Sequence, residues 1–144
     1  MRKVFVLFFV SLCVLTGYAQ HQGHRKFDPC KFQADMEQFI LQEAALSPKE
    51  SEAFFPVFRE MRKKQRVVFD QQSRLRHIKP ADENGCREAI IKLDELESQM
   101  REIQQHYHKA FLKILPASKV YDILKAEERF HRQVLRRASE HRPR

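Results

Sequence analysis

From Ala89 to Ile114 the chain reads AIIKLDELESQMREIQQHYHKAFLKI, and one file of it is apolar: Ala89, Leu93, Leu96, Met100, Ile103, Tyr107, Ala110 and Ile114. The steps alternate between four and three throughout. That is the period of a helix seam packed lengthwise on a second helix, and alternating strands do not produce it. The partner lies upstream, where Phe54, Phe58, Met61, Val68 and Leu75 recur at threes, fours and multiples of seven, with Gln65 and Gln72 in the same stripe. Pro80 to Gly85 supplies the turn between the two.

Prolines punctuate the rest. Pro29, Pro48, Pro80 and Pro116 divide the chain into four segments, each with a helical period. The first runs from Phe32 to Ala45 with Phe32, Met36, Phe39 and Ile40 on one face. It stops at Leu46-Ser47-Pro48-Lys49-Glu50, where Ser47 is placed to cap the next helix, Pro48 takes its first position and Glu50 follows three after the cap. This is a capping box with proline at N1. The second helix is expected to reach Lys79 and to bend near Phe55-Pro56, because Pro56 removes a backbone donor. The fourth follows Pro116 with Val120, Ile123, Leu124, Phe130 and Val134 on a broad face.

The fold read from this is all-α: four helices around a long central antiparallel hairpin with coiled-coil-like packing. Hairpin helices of about 30 residues are about 45 Å long, so the body is elongated and leaves apolar surface thinly covered. Homodimerisation, or a face that binds something else, is the expected consequence.

The start of the chain has the three parts of a secretory leader. Arg2 and Lys3 precede an apolar run from Val4 to Leu15, and Gly17-Tyr18-Ala19 offers small residues at −3 and −1. The run is shorter than the roughly 20 residues a membrane span needs. The domain reading is therefore a signal peptide over residues 1–19, a flexible segment over 20–31, a helical domain over 32–139 and a basic tail over 140–144, with export to the periplasm and no stable membrane span after cleavage. Losing Arg2 and Lys3 takes the formal charge from +8 to +6. Export argues against nucleic acid as the partner of that charge. Anionic headgroups, surface polysaccharide or acidic protein segments fit it better, beside the plainer role of keeping a helical surface soluble.

Cys30 and Cys86 outlast cleavage, and an oxidising compartment favours a disulfide. With the first helix antiparallel to the second, Cys86 at the hairpin turn lies roughly 15–20 Å beyond Cys30, whereas bridged Cα atoms come within about 7 Å. An intramolecular bridge then requires the short arm to splay or the chain before Phe32 to extend. An intermolecular bridge and free thiols are the alternatives.

Chemistry-bearing patterns are sparse. His106 and His108 point to different helix faces. Glu127 and His131 are four apart, a spacing that suits a metal but that any solvated helix face also offers. No Cys-x-x-Cys, His-Glu-x-x-His, phosphate loop or nucleophile elbow occurs. The chain reads as non-enzymatic, without a metal site or cofactor. What remains is a surface: Phe55 and Phe69 lie off the main stripe of the second helix, fourteen residues apart and so nearly aligned, with Arg59, Arg62 and Arg66 beside them. They are candidates for a client-binding strip, arginine stems covering apolar surface while their heads stay wet. Contact of either phenylalanine with the first or fourth helix is the alternative.

A leader, four helices with a long hairpin, and Leu46-Ser47-Pro48-Lys49-Glu50 at a helix start together resemble the Spy/CpxP-like periplasmic proteins, whose helix starts carry Leu-Thr-x-x-Gln. Ser47 and Glu50 keep the capping chemistry of that motif. At the second place, Leu115-Pro116-Ala117-Ser118-Lys119, only the leucine matches. The resemblance implies a cradle-shaped homodimer that holds unfolded or partly folded proteins without ATP, an envelope-stress adaptor. The family's metal-responsive sensors, and regulators that dock on a membrane-bound sensor, are the second implied role.

Overall fold

The computed structural model describes residues 28–77 and 79–140. The leader read over 1–19 and tail residues 141–144 lie outside them. Four helices follow in order: α1 Pro29–Glu43, α2 Pro48–His77, α3 Glu83–Ile114 and α4 Ala117–Glu140. No strand occurs among the described residues. The architecture is the all-α, hairpin-centred one that the seam implies.

Local chemistry sets each helix end. α1 begins three residues before the aromatic stripe, because the Asp28 carboxylate accepts from Cys30 N (2.9 Å) and Lys31 N (3.2 Å) and Pro29 stands in the first turn. Residues 29–31, read as part of the flexible segment, are therefore helical. At its other end Leu46 N donates to Leu41 O (3.2 Å) and Ala45 N to Gln42 O (3.3 Å), the paired bonds of a Schellman motif. The left-handed position this motif requires is held by Ala45, with φ 47°. Ala45→Gly removes a Cβ from a conformation that penalises it. It is expected to raise stability by about 0.5–1 kcal/mol, seen as a higher urea midpoint at unchanged slope; a lower midpoint would refute this.

The capping box at Ser47 forms as read. Ser47 N donates to Glu50 Oε2 at 2.8 Å and Glu50 N to Ser47 Oγ at 3.3 Å. Those bonds hold the Glu50 carboxyl below its ordinary pKa. α2 then continues through Pro56, whose ring faces solvent, so the lost hydrogen bond falls on the wet side of the helix. In the turn before α3, Asp82 caps through Gly85 N at 2.7 Å. A Cβ on Gly85 would meet Pro80 Cβ at 2.9 Å, so the tight return needs glycine there.

The core sits at one end. Phe54, Phe58 and Met61 of α2 and Phe111 of α3 close on Met36 and Ile40 of α1 and on Val120 and Ile123 of α4. Phe54 and Phe111 meet edge to face at 4.8 Å, and Phe54 stacks on Phe58 at 5.4 Å. α1 lies antiparallel to α4: Lys119 Nζ donates to Ala44 O (2.9 Å) and Ala45 O (2.6 Å) at one end, while Phe32 and Phe130 pack at 5.3 Å towards the other. Lys119 thus serves as a cationic cap on the carbonyl end of α1. Beyond this four-helix end, α2 and α3 continue alone as a two-helix arm. Val68 and Leu96 are buried between them but stand outside the main core cluster.

Candidate functional site

The two buried flanks explain where α1 and α4 sit. Phe55, Arg62, Phe69 and Arg76 follow one another at intervals of seven on α2, and Ile90, Glu97, Gln104 and Phe111 do so on α3. In an antiparallel pair these two files lie on the same side of the seam. At the core end that side is covered. Phe55 is only 8% exposed and Phe111 fully buried, Arg62 reaches Glu127 of α4 (3.3 Å), and neighbouring Arg59 pairs with Glu37 of α1 (2.6 Å). Further along the arm the same side is open, with Phe69 59% and Ile90 61% exposed around the Arg76–Glu97 pair at 3.2 Å.

The five strip candidates therefore do not share one surface. Phe55 belongs to the core, packed against Phe54 at 5.3 Å and Phe58 at 6.4 Å, because α1 and α4 roof its flank. Arg59 and Arg62 are interhelical ties. Arg59 donates to both oxygens of Glu37, and Arg62 to Gln65 (3.1 Å) and Glu127. Burial pushes the Glu37 carboxyl up, but the hydrogen bonds from Arg59 and Gln33 and the Arg59 charge outweigh it and leave Glu37 below its ordinary value. Arg59 stays exposed but is held by Glu37, so of the five only Arg66 and Phe69 are open to solvent without such a tie.

The structure adds partners for these two that the strip had omitted. Lys63 and Arg74 are exposed on the outer side of α2 with Arg66, and none of the three has an ion-pair partner among the described residues. Val67, 56% exposed, lies among them. Across the arm Ile90 and Ile91 are 61% and 54% exposed. Four of the seven large exposed apolar side chains of the described chain thus fall on the two-helix arm. Their signal in the sequence was present: each is an apolar residue off the four-three seam, in helices whose seams were already assigned.

The arm is also divided in charge. Along residues 63–77, α2 carries five lysines and arginines against Asp70 alone. Along residues 83–102, α3 carries six carboxylates against Arg87, Lys92 and Arg101. Asp94, Glu95 and Glu97 are exposed there, Glu95 paired with Lys92 at 2.9 Å.

Both thiols are free, Cys30 exposed at the start of α1 and Cys86 half-buried with Sγ 3.7 Å from Pro80 O. His131 Nε2 lies 3.9 Å from Glu127 Oε1, but that carboxylate is already engaged by Arg62. Among the described residues no three His, Cys, Asp or Glu side chains are grouped to hold a metal ion, and no helix is long and apolar enough to cross a membrane. An open groove of about 880 Å³ lies between α1 and α4, floored by Phe32, Phe39, Phe130 and Val134.

No family model, curated protein or solved structure matches this chain.

Proposed function

We propose that this is an exported, non-enzymatic helical binding protein that holds unfolded or partly folded polypeptides without ATP, in the manner of the Spy/CpxP-like envelope-stress proteins it resembles. One observation carries the reading: the arm leaves Val67, Phe69, Ile90 and Ile91 in water beside cations that no carboxylate of the described chain engages. Apolar side chains exposed along a projecting arm suit a partner able to cover them, and long basic stems keep such a surface wet when it is empty. A flexible chain suits it best, since an arm two helices wide offers no deep pocket to a rigid ligand. Its contacts are separately weak, so binding is reversible and needs no nucleotide to release the client.

The test is aggregation of a chemically unfolded model protein, followed by light scattering with the purified protein present and ATP absent, at low and high salt. Protection at near-equimolar ratio is expected, falling as salt rises because the exposed cations are screened within about 10 Å at 0.1 M. Phe69→Ala is expected to weaken protection with helicity unchanged. Absence of protection at every salt concentration overturns the reading.

A further inference from the structure

The charge division of the arm says which segments such a surface takes. We infer that the outer edge of α2 selects acidic-apolar segments, with an apolar stretch between two carboxylate positions, and turns away their basic counterparts. This rests on the client-binding reading above and adds to it the chemistry of the client.

Lys63, Arg66 and Arg74 define the edge. They fall on the solvent side of α2, opposite the seam of Met61, Gln65, Val68 and Gln72, all of which are buried against α3. The other lysines and arginines between Arg59 and Arg76 are occupied: Arg59 by Glu37, Arg62 by Glu127, Lys64 by Glu60 and Arg76 by Glu97. These three carry no ion pair among the described residues, and with the exposed Asp70 between Arg66 and Arg74 the edge keeps a surplus of two positive charges for an incoming group. At 1.5 Å rise per residue Lys63 and Arg66 are about 4.5 Å apart along the axis, and Arg74 lies about 12 Å beyond Arg66. An extended chain advancing about 3.3 Å per residue spans that interval in about four residues. A segment with a carboxylate at each end therefore engages Lys63 and Arg66 with one and Arg74 with the other. Its middle residues then pass over Val67, which lies on the same outer side of the helix.

The other helix of the arm supplies the discrimination. Six carboxylates on residues 83–102 make the α3 side repel an acidic chain, so the chain is directed to α2 rather than spread over both helices. A basic segment finds the reverse: it is drawn to α3, where Ile90 and Ile91 stand but most of the charge lies further along the helix. Because every group concerned is exposed, the preference is electrostatic and screened by salt.

The experiment is fluorescence anisotropy of three labelled synthetic peptides against the purified protein: an acidic-apolar-acidic peptide, its lysine counterpart, and an acidic peptide with glycine and serine in place of the apolar residues. The first is expected to bind at least ten-fold more tightly than the other two at low salt, the advantage over the lysine peptide shrinking to about two-fold at 0.5 M salt. Arg66→Glu with Arg74→Glu, two exposed positions without ion-pair partners, is expected to reverse the preference while circular dichroism stays unchanged. Equal binding of acidic and basic apolar peptides, with no effect of the double substitution, overturns the selectivity and leaves the client-binding reading standing. Equal binding of the two acidic peptides marks a polyanion site and overturns the inference. No binding of any peptide, together with no protection from aggregation, removes both.

Discussion

Phe111→Ala is expected to cost about 3–5 kcal/mol, the range for emptying a fully buried phenylalanine site. Phe111 has no exposed surface and its ring lies 4.8 Å from that of Phe54 and 6.4 Å from that of Phe58. Its removal deletes the α3 contribution to the aromatic cluster where all four helices meet. The neighbours cannot close over the gap cheaply, because Phe54 and Phe58 are themselves carried on a helix tied at several points. Domains of this size are stable by about 5–15 kcal/mol, so the variant is expected to be near unfolding. Urea denaturation followed by far-ultraviolet circular dichroism measures it, with Phe111→Leu as the milder companion. A loss below about 1 kcal/mol would mean that the cluster is not the centre of stability.

The second large effect is a contrast between two residues that look alike in sequence. Phe55→Ala is expected to cost about 3 kcal/mol, because Phe55 is 8% exposed under α1 and α4. Phe69→Ala, fourteen residues on along the same file, is expected to stay within about 0.5 kcal/mol, because its ring is 59% exposed. Two heptads separate the sites by about 21 Å, so the double variant is expected to lose the sum of the two. Function should divide the other way. Phe69→Ala weakens client protection in a protein that is still folded, whereas Phe55→Ala changes protection only as far as it unfolds the core. Equal destabilisation by both substitutions would mean that the arm is roofed as the core end is, and would remove the exposed surface from which the binding function is argued.

That contrast marks where the sequence stops. The four-three steps from Ala89 to Ile114 determine that α3 lies lengthwise on another helix. The capping box at Ser47 and the prolines at 48 and 116 determine where helices begin, since caps and missing donors act within a few residues of chain. The stripe through Phe54, Phe58 and Met61, with Gln65 and Gln72 in it, marks the face of α2 that meets α3, and the structure buries those side chains.

Only tertiary structure decides what happens beside the seam. Phe55 and Phe69 share composition, helix and flank, and differ because α1, fifteen residues long, and α4 cover the flank at one end and not the other. The same geometry turns Arg59 and Arg62 into ties to Glu37 and Glu127, residues 22 and 65 positions distant in the chain, and leaves Arg66 free. Heptad periodicity reports the direction of a side chain about its own axis. It carries no record of how far along that axis a second layer extends, and burial, pairing and exposure on the arm all depend on that length.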